Sequence, residues 1–484
     1  MLALLFALVP VQQSPQAQRT GPLPVERPNV AVIVIDDVGV DMIGAYGEAP
    51  VSAPCTPEID ALAAEGLLFR NAYTNPWCSP SRAQILTGRH GFRTGVGQVV
   101  GQGGHQSGLP VAEDTLPELL VGYDSAAIGK WHLAHPEERN GDGQGVGHAL
   151  RSGFDVFRGT THNLGVGPVP APTGCVQECV DGPWDYFRWV KTEDCNQFCE
   201  TTYATIDVEQ DALEAAASFR EPWLLYVSYH AAHLPTHVPP AELCPGAAGC
   251  TCTTIDGDET DIELAKAMVE ALDTSVGSLV AGLRALDPEV YVFLIGDNGT
   301  YGGVSEGTPG GCFDPNRAKG TVYEAGVNVP FVAVGPGVPS AEIDALVSSV
   351  DLFATVLELG AAPSSQGPQG PIDAVSLVPY LLGATGPLRS TVYAESFEPN
   401  GLPFAPTRHE RMVRNERYKL VVCTDDTGTV VEEFFDLALD PCEAIDLCAG
   451  TACASLPAGA QEAYDALQAE LARLGVAGGT AASR

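Results

Sequence analysis

Four continuous runs of apolar residues stand out along the chain. They lie at 30–35, Trp223–Tyr229, Val290–Ile295 and Val329–Val334. Short runs of this kind, rich in Val, Ile and Leu, are typical of strands that are buried on both faces. Between them the sequence predicts helices over about 56–66, 261–286 and 351–359. Because strands alternate with helices, we expect an α/β fold with a large, mostly parallel sheet sandwiched by helices.

The pattern changes after about residue 385. Short strand-like pieces precede a helix near Gln461–Leu474, and they lie at Ser390–Ala394, Tyr418–Cys423 and Val430–Phe435. We therefore expect a large α/β domain over 29–385, which would carry the chemistry, and a small C-terminal α+β domain over 386–476, followed by a tail over 477–484. Segments rich in Gly, Pro and Cys near 160–200 and 240–258 interrupt the first domain and are interpreted as surface insertions.

The first residues of the chain are apolar and resemble the core of a signal peptide. The run Met1–Val9 is followed by a polar segment rich in Gln, Pro and Ser. This pattern predicts a signal peptide over 1–18 and a linker over 19–28, and hence export to the periplasm or the outside of the cell. The run is too short to span a bilayer, so no stable membrane insertion is expected.

The charge of the chain limits its partners. The 484 residues include 61 acidic and 25 basic ones, which gives a formal net charge of -36. A protein that binds nucleic acid needs a basic footprint, and this sequence has none, so nucleic acid is excluded as a partner. A site for an anionic substrate would have to overcome the repulsion locally, with a cation and a few basic side chains.

Oxygen ligands follow two of the predicted strands. Asp36 and Asp37 come directly after the first apolar run, and Asp297 and Asn298 come after the run at 290–295. In a parallel sheet these strand ends meet at one edge, where ligands bind. Carboxylate and amide oxygens suit Ca²⁺ or Mg²⁺. A helix cap or an ordinary turn is the alternative for each pair.

A third candidate is the run Cys78-Ser79-Pro80-Ser81-Arg82. Pro80 suits the first turn of a helix, and Gly88 suits its end. Cys78 would then lie at a helix N-terminus, where negative charge is stabilised. From the residues alone, a disulfide cysteine or a thiol nucleophile of low pKa is equally compatible with this position.

The run from Cys78 to Arg89 resembles the signature of the formylglycine-dependent sulfatases, an arylsulfatase-like family of the alkaline phosphatase superfamily. Further blocks are similar to the family in the same order, at Thr56–Asp60, Asn71–Tyr73, Gly129–Leu133, Gly153–Asp155, Lys319–Glu324 and Phe435–Leu437. The resemblance spans roughly residues 28–450. The chain departs from the family in having Ala232 where a proline is frequent and Asn328 where an arginine is usual.

The resemblance implies a sulfuric-ester hydrolase that acts on an aryl or carbohydrate sulfate. In the family, a formylglycine-generating or sulfatase-maturating enzyme oxidises the motif cysteine, here Cys78, to formylglycine (3-oxoalanine). The hydrated aldehyde attacks sulfur with one hydroxyl, and the second hydroxyl expels sulfate. The resemblance also implies one divalent cation, held by Asp36, Asp37, Asp297, Asn298 and an oxygen of modified Cys78. Ca²⁺ is preferred over Mg²⁺ because the ligand set is rich in carboxylates.

The resemblance assigns roles to the remaining candidates. Arg82 would fix the modified residue, Lys130 and Lys319 would bind sulfate oxygens, and Asp297 would act as a base. His132 would bind the diol, and His233 would contact the substrate and protonate the leaving group. His230 and His237 flank His233, so that assignment could shift to a neighbour. A packing or surface histidine is the alternative in each case.

Two other functions compete with sulfate-ester hydrolysis. Related enzymes use formylglycine to hydrolyse phosphonate monoesters or phosphodiesters. An exported binding protein on the same scaffold is the non-enzymatic alternative, but the expected catalytic positions are all occupied. The aromatic residues of the first insertion could stack on a substrate ring or form a small core of the insertion, and they are Trp184, Tyr186, Phe187 and Trp189.

The chain has 14 cysteines, most of which should pair in an exported protein. Ten of them lie in three clusters: Cys175, Cys179, Cys195 and Cys199; Cys244, Cys250 and Cys252; and Cys442, Cys448 and Cys453. The spacing of the first cluster could suit zinc, but it lacks the tight zinc-knuckle pattern, so disulfides are favoured. If Cys78 has a chemical role, an odd number remains, and one further thiol is expected to be unpaired.

Overall fold

A computed structural model describes residues 25–48, 53–101, 107–134, 145–167, 174–176, 182, 184–245, 249–255, 257–305, 312, 314–361, 370–449, 453 and 456–476. The expected signal peptide at 1–18, the expected tail at 477–484 and Cys179 lie outside these ranges. The expected linker at 19–28 is described only from residue 25.

The described residues form sixteen strands in three sheets. They are β1 (Val30–Ile35), β2 (Leu67–Phe69), β3 (Ala72–Tyr73), β4 (Asp124–Lys130), β5 (Val156–Thr160), β6 (Trp189–Glu193), β7 (Asn196–Glu200), β8 (Trp223–Ser228), β9 (Tyr291–Gly296), β10 (Phe331–Val334), β11 (Ala341–Ile343), β12 (Val347–Ser348), β13 (Val392–Glu398), β14 (Arg408–Arg414), β15 (Tyr418–Thr424) and β16 (Val430–Asp436). Ten of them form one sheet in the order β11-β2-β10-β9-β1-β8-β4-β5-β6-β7. Its centre, from β9 to β5, is parallel. The prediction of a large, mostly parallel sheet is therefore confirmed.

Within the ranges that the structure describes, eleven α-helical segments accompany the strands. They are α1 (Pro57–Glu65), α2 (Cys78–Thr87), α3 (Gly91–Thr94), α4 (Leu116–Leu119), α5 (His148–Arg151), α6 (Ala204–Ser218), α7 (Asp261–Leu286), α8 (Glu324–Val327), α9 (Asp351–Leu359), α10 (Val378–Leu381) and α11 (Ala458–Leu474). The bounds of α1, α7 and α9 agree with the sequence-based expectation. Among the described residues, no helix is both long enough and apolar enough to cross a bilayer.

The central strand β1 shows why its sequence is apolar throughout. Ala31, Ile33 and Ile35 face a core that includes residues of α1, α6 and α7. The alternate residues of β1 face a second core, on the other side of the sheet, that includes residues of α2 and α9. Because side chains of a strand point alternately to the two faces, only a continuous apolar run can fill both cores.

The small C-terminal unit is a separate antiparallel sheet. Strands β13 to β16 pair in chain order, and α11 packs across them. Leu420 and Phe434 of the sheet share a buried cluster with Leu467 and Leu471 of the helix. The expected small α+β unit is thus confirmed.

The first insertion is integrated into the main sheet. Strands β6 and β7 form a hairpin that extends the edge at β5. Tyr186 and Trp189 are fully buried and belong to the core on the α6 and α7 side of the sheet. For Tyr186 and Trp189, the interpretation as a small core of the insertion is therefore wrong, whereas Phe187 is exposed.

Most of the described cysteines form disulfides, as expected. The disulfides are Cys55–Cys250, Cys175–Cys195, Cys244–Cys252, Cys312–Cys442 and Cys448–Cys453, and Cys199 is disulfide-bonded too. Of the described cysteines, Cys78 and Cys423 are free. The expectation of one unpaired thiol besides Cys78 is confirmed by Cys423.

Candidate active site

The two acidic strand ends meet at one edge of the sheet. Strands β1 and β9 are parallel neighbours with Ile35 opposite Gly296, and the backbone N–H of Asp297 donates to the carbonyl of Ile35 (3.1 Å). Carboxylate oxygens of Asp36, Asp37 and Asp297 lie within 4.8 Å of one another, and all three side chains are buried. The register of the sheet therefore produces the convergence that the sequence predicts.

Two buried oxygens at this edge show that the site fits a cation. The amide nitrogen of Asn298 donates to Asp37 Oδ1 (2.8 Å) and to the carbonyl of Gly299 (3.0 Å), which leaves its Oδ1 as an acceptor. Within the described part of the chain, Asn298 Oδ1 and Asp36 Oδ1 have no hydrogen-bond partner. Buried polar atoms are normally paired, and hard oxygens beside carboxylates suit Ca²⁺ or Mg²⁺.

Cys78 is the first residue of α2 and lies against a histidine. Its Sγ is 3.3 Å from Nδ1 of His132, and both side chains are buried. Burial raises the pKa of the thiol, and the nearby lysines only partly offset this effect. Cys78 is not in a disulfide, which excludes the simplest alternative for this residue.

Arg82 lies one turn after Cys78 on the same helix and joins three strand ends. Its Nε and Nη2 donate to Asp297 Oδ2 (3.0 and 2.7 Å), and its Nη1 donates to the carbonyl of Lys130 (2.8 Å) and to Ser228 Oγ. The side chain is fully buried. Arg82 thus fixes the helix of Cys78 against the ends of β9, β4 and β8. Sequence reasoning missed Ser228, although it is the one polar residue within the apolar run Trp223–Tyr229.

The tautomer of His132 follows from its neighbours. Its Nε2 lies 3.1 Å from the carbonyl of Val100, which can only accept, so Nε2 carries the proton. Nδ1 is then an acceptor that faces Cys78. Ser79 holds this arrangement, because its hydroxyl donates to the carbonyl of His132 (2.8 Å) and accepts from the N–H of Val100 (3.1 Å). Burial and the charge of Lys130 lower the pKa of His132, so the ring is neutral.

We call Asp36, Asp37, Asp297 and Asn298 the acidic edge. Two lysines contact it. Lys130 Nζ donates to Asp36 Oδ2, and Lys319 Nζ donates to Asp37 Oδ1. Burial opposes the ionisation of Asp36, but Lys130 and its other cationic neighbours lower its pKa below the usual value. Burial and the charge of Asp36 raise the pKa of Asp297 to about 6.

The charges of this cluster balance. Three carboxylates (Asp36, Asp37 and Asp297) face three cationic side chains (Arg82, Lys130 and Lys319). A divalent cation at the acidic edge would leave the cluster with a net charge of about +2, by simple charge counting. A site of that charge attracts an anion, despite the strongly negative protein around it.

Three histidines follow β8: His230, His233 and His237. Only the pKa of His233 is lowered by the charges of both Lys130 and Lys319. The Nδ1 of His233 lies 2.9 Å from the carbonyl of Leu234, which places the proton on Nδ1 and leaves Nε2 as an acceptor. Burial, Lys130 and Lys319 lower the pKa of His233 to about 4. A bound anion would raise that pKa again.

The other two histidines have partners elsewhere. His230 Nε2 is 2.8 Å from Thr160 Oγ1, and His237 Nε2 is 2.8 Å from the hydroxyl of Tyr203. Tyr186 supports the turn between them, since its hydroxyl lies 2.7 Å from the carbonyls of both His230 and His233. Sequence reasoning gave Tyr186 no such role, because the contact spans 47 residues of chain to His233.

Two protein-family models match this chain. A family model described as "Sulfatase" matches residues 28–362, and a model described as "N-sulphoglucosamine sulphohydrolase, C-terminal" matches residues 311–470. The first range includes every candidate residue from Asp36 to Lys319.

Two curated relatives are identical to this chain at about a third of the aligned positions. N-acetylgalactosamine-6-sulfatase of Sus scrofa is 33% identical over 73% of this chain. The match covers 66% of that relative, so the chain spans just under two thirds of its length. Arylsulfatase A of Bos taurus is 33% identical over 81% of this chain and 74% of its own. Among solved structures, Ps i-CgsB in complex with k-i-k-neocarrahexaose has a TM-score of 0.70 at 22% identity, with 93% of both chains covered.

Proposed function

The chain belongs to the sulfatase family, and we propose that it hydrolyses a sulfate monoester of a sugar or an aryl alcohol through a formylglycine formed from Cys78. The observation that carries the proposal is the position of Cys78. Its unpaired side chain lies at the N-terminus of α2, against the acceptor Nδ1 of His132. Arg82, on the same helix, binds the acidic edge.

Formylglycine supplies chemistry that a cysteine lacks. When hydrated, it provides one hydroxyl that takes the sulfate group from the ester oxygen and a second hydroxyl whose deprotonation expels sulfate and restores the aldehyde. The protein would obtain this residue from a formylglycine-generating or sulfatase-maturating enzyme.

The surrounding side chains move protons and hold charge. Nδ1 of His132 is oriented to accept a proton from a hydroxyl on residue 78, because its other nitrogen is bound to Val100. Lys130 and Lys319 would bind oxygens of the sulfate group and stabilise the charge that develops on them. His233 would contact the substrate and give a proton to the leaving alkoxide. Asp297 would act as the base at the acidic edge.

One divalent cation would complete the site. Asp36, Asp37, Asp297, Asn298 and an oxygen of modified Cys78 would hold it. We propose Ca²⁺ rather than Mg²⁺, because Mg²⁺ usually keeps several waters whereas Ca²⁺ accepts a set made of protein oxygens. The cation would draw a sulfate oxygen into the site and lower the pKa of a bound hydroxyl.

The names of the relatives support a sulfate ester over a phosphodiester. One relative is a carbohydrate sulfatase by name and the other an arylsulfatase. The exported location is supported by the disulfides, since such bonds persist in oxidising compartments.

Two measurements test the proposal. Mass spectrometry of the peptide that contains residue 78, from protein made with its maturating enzyme, should find the –CH₂SH group converted to –CHO. The converted protein should hydrolyse 4-nitrophenyl sulfate faster than bis(4-nitrophenyl) phosphate, and unconverted protein should hydrolyse neither. A thiol at residue 78 in fully active protein contradicts the mechanism. A clear preference for the phosphodiester contradicts the substrate class and favours the phosphodiesterase alternative.

A further inference from the structure

Lys319 lies on a segment that is held from two sides. On the side of the large sheet, the N–H of Lys319 donates to the carbonyl of Thr300 (3.1 Å), and the N–H of Gly320 donates to the carbonyl of Pro76 (2.9 Å). Gly320 has a φ of +92°, and a Cβ at this position would lie 2.9 Å from the ring of Trp77. The backbone at Gly320, next to Lys319, therefore packs closely against Trp77, the residue that precedes Cys78. We call residues 314–328 the Lys319 segment.

On its other side, Glu324 of the Lys319 segment forms a buried ion cluster with Lys419 and Glu443 of the small C-terminal unit. Lys419 Nζ lies 2.9 Å from Glu324 Oε1 and 2.8 Å from Glu443 Oε1. Glu443 Oε2 accepts from the backbone N–H of Glu324 (2.7 Å), the first residue of α8. Lys419 is 0% exposed and Glu443 2%. The ion cluster thus fixes the chain five residues after Lys319, with two groups from the small C-terminal unit.

Further contacts from the small unit lie before Lys319. Arg317 Nη1 donates to the carbonyl of Glu443, and its guanidinium lies 4.3 Å from the ring centre of Tyr323. A disulfide joins Cys312 to Cys442. The small unit therefore holds the chain on both sides of Lys319, while Lys319 itself points into the site at Asp37.

Burying the charged groups of the ion cluster costs desolvation free energy, so the cluster stabilises the fold less than its charges suggest. Burial raises the pKa of Glu443, and Lys419 offsets only part of that effect. Burial also opposes the ionisation of Glu324, but Lys419 and Arg414 lower its pKa overall. A buried ion pair often contributes no more stability than an apolar contact would, but its hydrogen bonds define one geometry. Apolar residues of the Lys319 segment and of the small unit already share one buried hydrophobic cluster, among them Val322, Val327, Met412, Val421 and Phe435.

We propose that Glu324, Lys419 and Glu443 are positioning residues for Lys319, so that the small C-terminal unit sets the affinity of the site for the sulfate group. The proposal rests on the proposed function, because it takes Lys319 as a ligand of sulfate. The ion cluster does not touch the substrate. It acts by fixing the backbone from which Lys319 reaches Asp37.

A double-mutant cycle separates positioning from general stability. The Lys419→Met, Lys319→Met and doubly substituted proteins are compared with the parent for KM on 4-nitrophenyl sulfate and for the inhibition constant of inorganic sulfate. We expect Lys419→Met to raise both constants about tenfold when Lys319 is present and less than about twofold when it is absent. An equal fold-change in both backgrounds overturns the proposal, since Lys419 would then not act through Lys319.

Two further variants provide an alternative test and a matched control. Glu443→Gln keeps the size of the side chain and an acceptor for the N–H of Glu324, so it tests the cluster if Lys419→Met does not fold. We expect it to raise the same two constants about threefold, and only in the presence of Lys319. Arg417→Met is the matched control, because Arg417 precedes the same strand but pairs with Asp436 at the surface. It should leave both constants unchanged.

Hydrogen exchange distinguishes failure of this proposal from failure of the proposed function. The amides of Lys319 and Gly320 are hydrogen-bonded in the parent protein. They should exchange at least about tenfold faster in Lys419→Met than in Arg417→Met. If the parent hydrolyses no sulfate ester, the proposed function fails, but the exchange rates still test the ion cluster. Unchanged exchange in Lys419→Met overturns the positioning role.

Discussion

Arg82 Nη2 lies 2.7 Å from Asp297 Oδ2, and both side chains are completely buried. This ion pair joins the helix that begins at Cys78 to the strand end that carries Asp297 and Asn298. The helix of Cys78 and the acidic edge are therefore joined directly by a fully buried ion pair. The remaining carboxylates, Asp36 and Asp37, are paired with Lys130 and Lys319.

Replacing Arg82 by Met should cost stability as well as activity. The change leaves Asp297 buried beside Asp36 and Asp37 without its guanidinium partner. Breaking a buried ion pair from one side typically costs about 3–5 kcal/mol, so the free energy of unfolding in urea should fall by about that amount. Arg220→Met removes an exposed pair with Asp124 and is the control. Equal urea midpoints for the two variants would show that the Arg82 pair is not important for stability.

Replacing Cys78 by Ser should limit the protein to a single transfer of a sulfate group, with no further turnover. A serine hydroxyl can take the sulfate group, but it has no second hydroxyl to expel it. We expect a loss of at least about 1000-fold in steady-state kcat, together with a stable sulfated peptide in mass spectrometry. Cys78→Ala should lose the activity without gaining the sulfated peptide. Full turnover by the serine variant contradicts the proposed mechanism.

If the proposed divalent cation is bound at the acidic edge, its removal should abolish sulfate-ester hydrolysis and lower the stability of the fold. Chelation with EGTA leaves the acidic edge without its cation, and added Ca²⁺ should restore activity better than Mg²⁺. A cation present at 100 times its dissociation constant adds about 2.7 kcal/mol to the free energy of unfolding, which thermal melting detects. Asp37→Asn should weaken Ca²⁺ binding at least about tenfold, whereas Asp258→Asn, at an exposed position, should not. If EGTA changes neither activity nor melting temperature, the acidic edge holds no functional cation.

The sequence predicts the centre of the fold because local pattern and burial agree there. Strand β1 fills two cores with one apolar run, and α7 and α9 have the bounds that their periodicity indicates. The sequence does not predict strand β4, although this strand carries Lys130. Its sequence, Asp-Ser-Ala-Ala-Ile-Gly-Lys, has only one β-branched apolar residue, and the sheet rather than the side chains imposes the extended form.

The sequence also predicts the functional side chains that follow strand ends. It does not predict the side chains that hold them in position by hydrogen bonds. Asp36 and Asp297 follow apolar runs that become parallel neighbours, so their convergence is readable from the chain. Ser79 is inside the recognised motif, yet its contact with His132 depends on tertiary structure. Tyr186 reaches His233 from an insertion whose fold has no local signal. Long-range contacts of this kind have no periodicity, so pattern cannot reveal them.

His148 is a buried histidine that lies outside the candidate site. Its Nε2 lies 2.8 Å from the carbonyl of Leu109, and its Nδ1 accepts from the indole N–H of Trp131 (3.1 Å). Burial lowers the pKa of His148 to about 4. The folded protein therefore keeps His148 neutral, whereas the unfolded chain takes up a proton below its ordinary pKa of about 6.5.

His148 should therefore make the fold sensitive to acid. Its contribution to stability is complete above about pH 6.5 and is lost progressively as the pH falls to about 4, for a total of about 3 kcal/mol. In His148→Gln an amide can donate to Leu109 and accept from Trp131 without titrating. The free energy of unfolding, measured in urea between pH 7 and pH 4, should fall less steeply in this variant than in the parent. His237→Gln, at a half-buried histidine, is the control and should keep most of the parent slope. Parallel curves for the parent and His148→Gln would mean that His148 is not the group that makes the fold acid-sensitive.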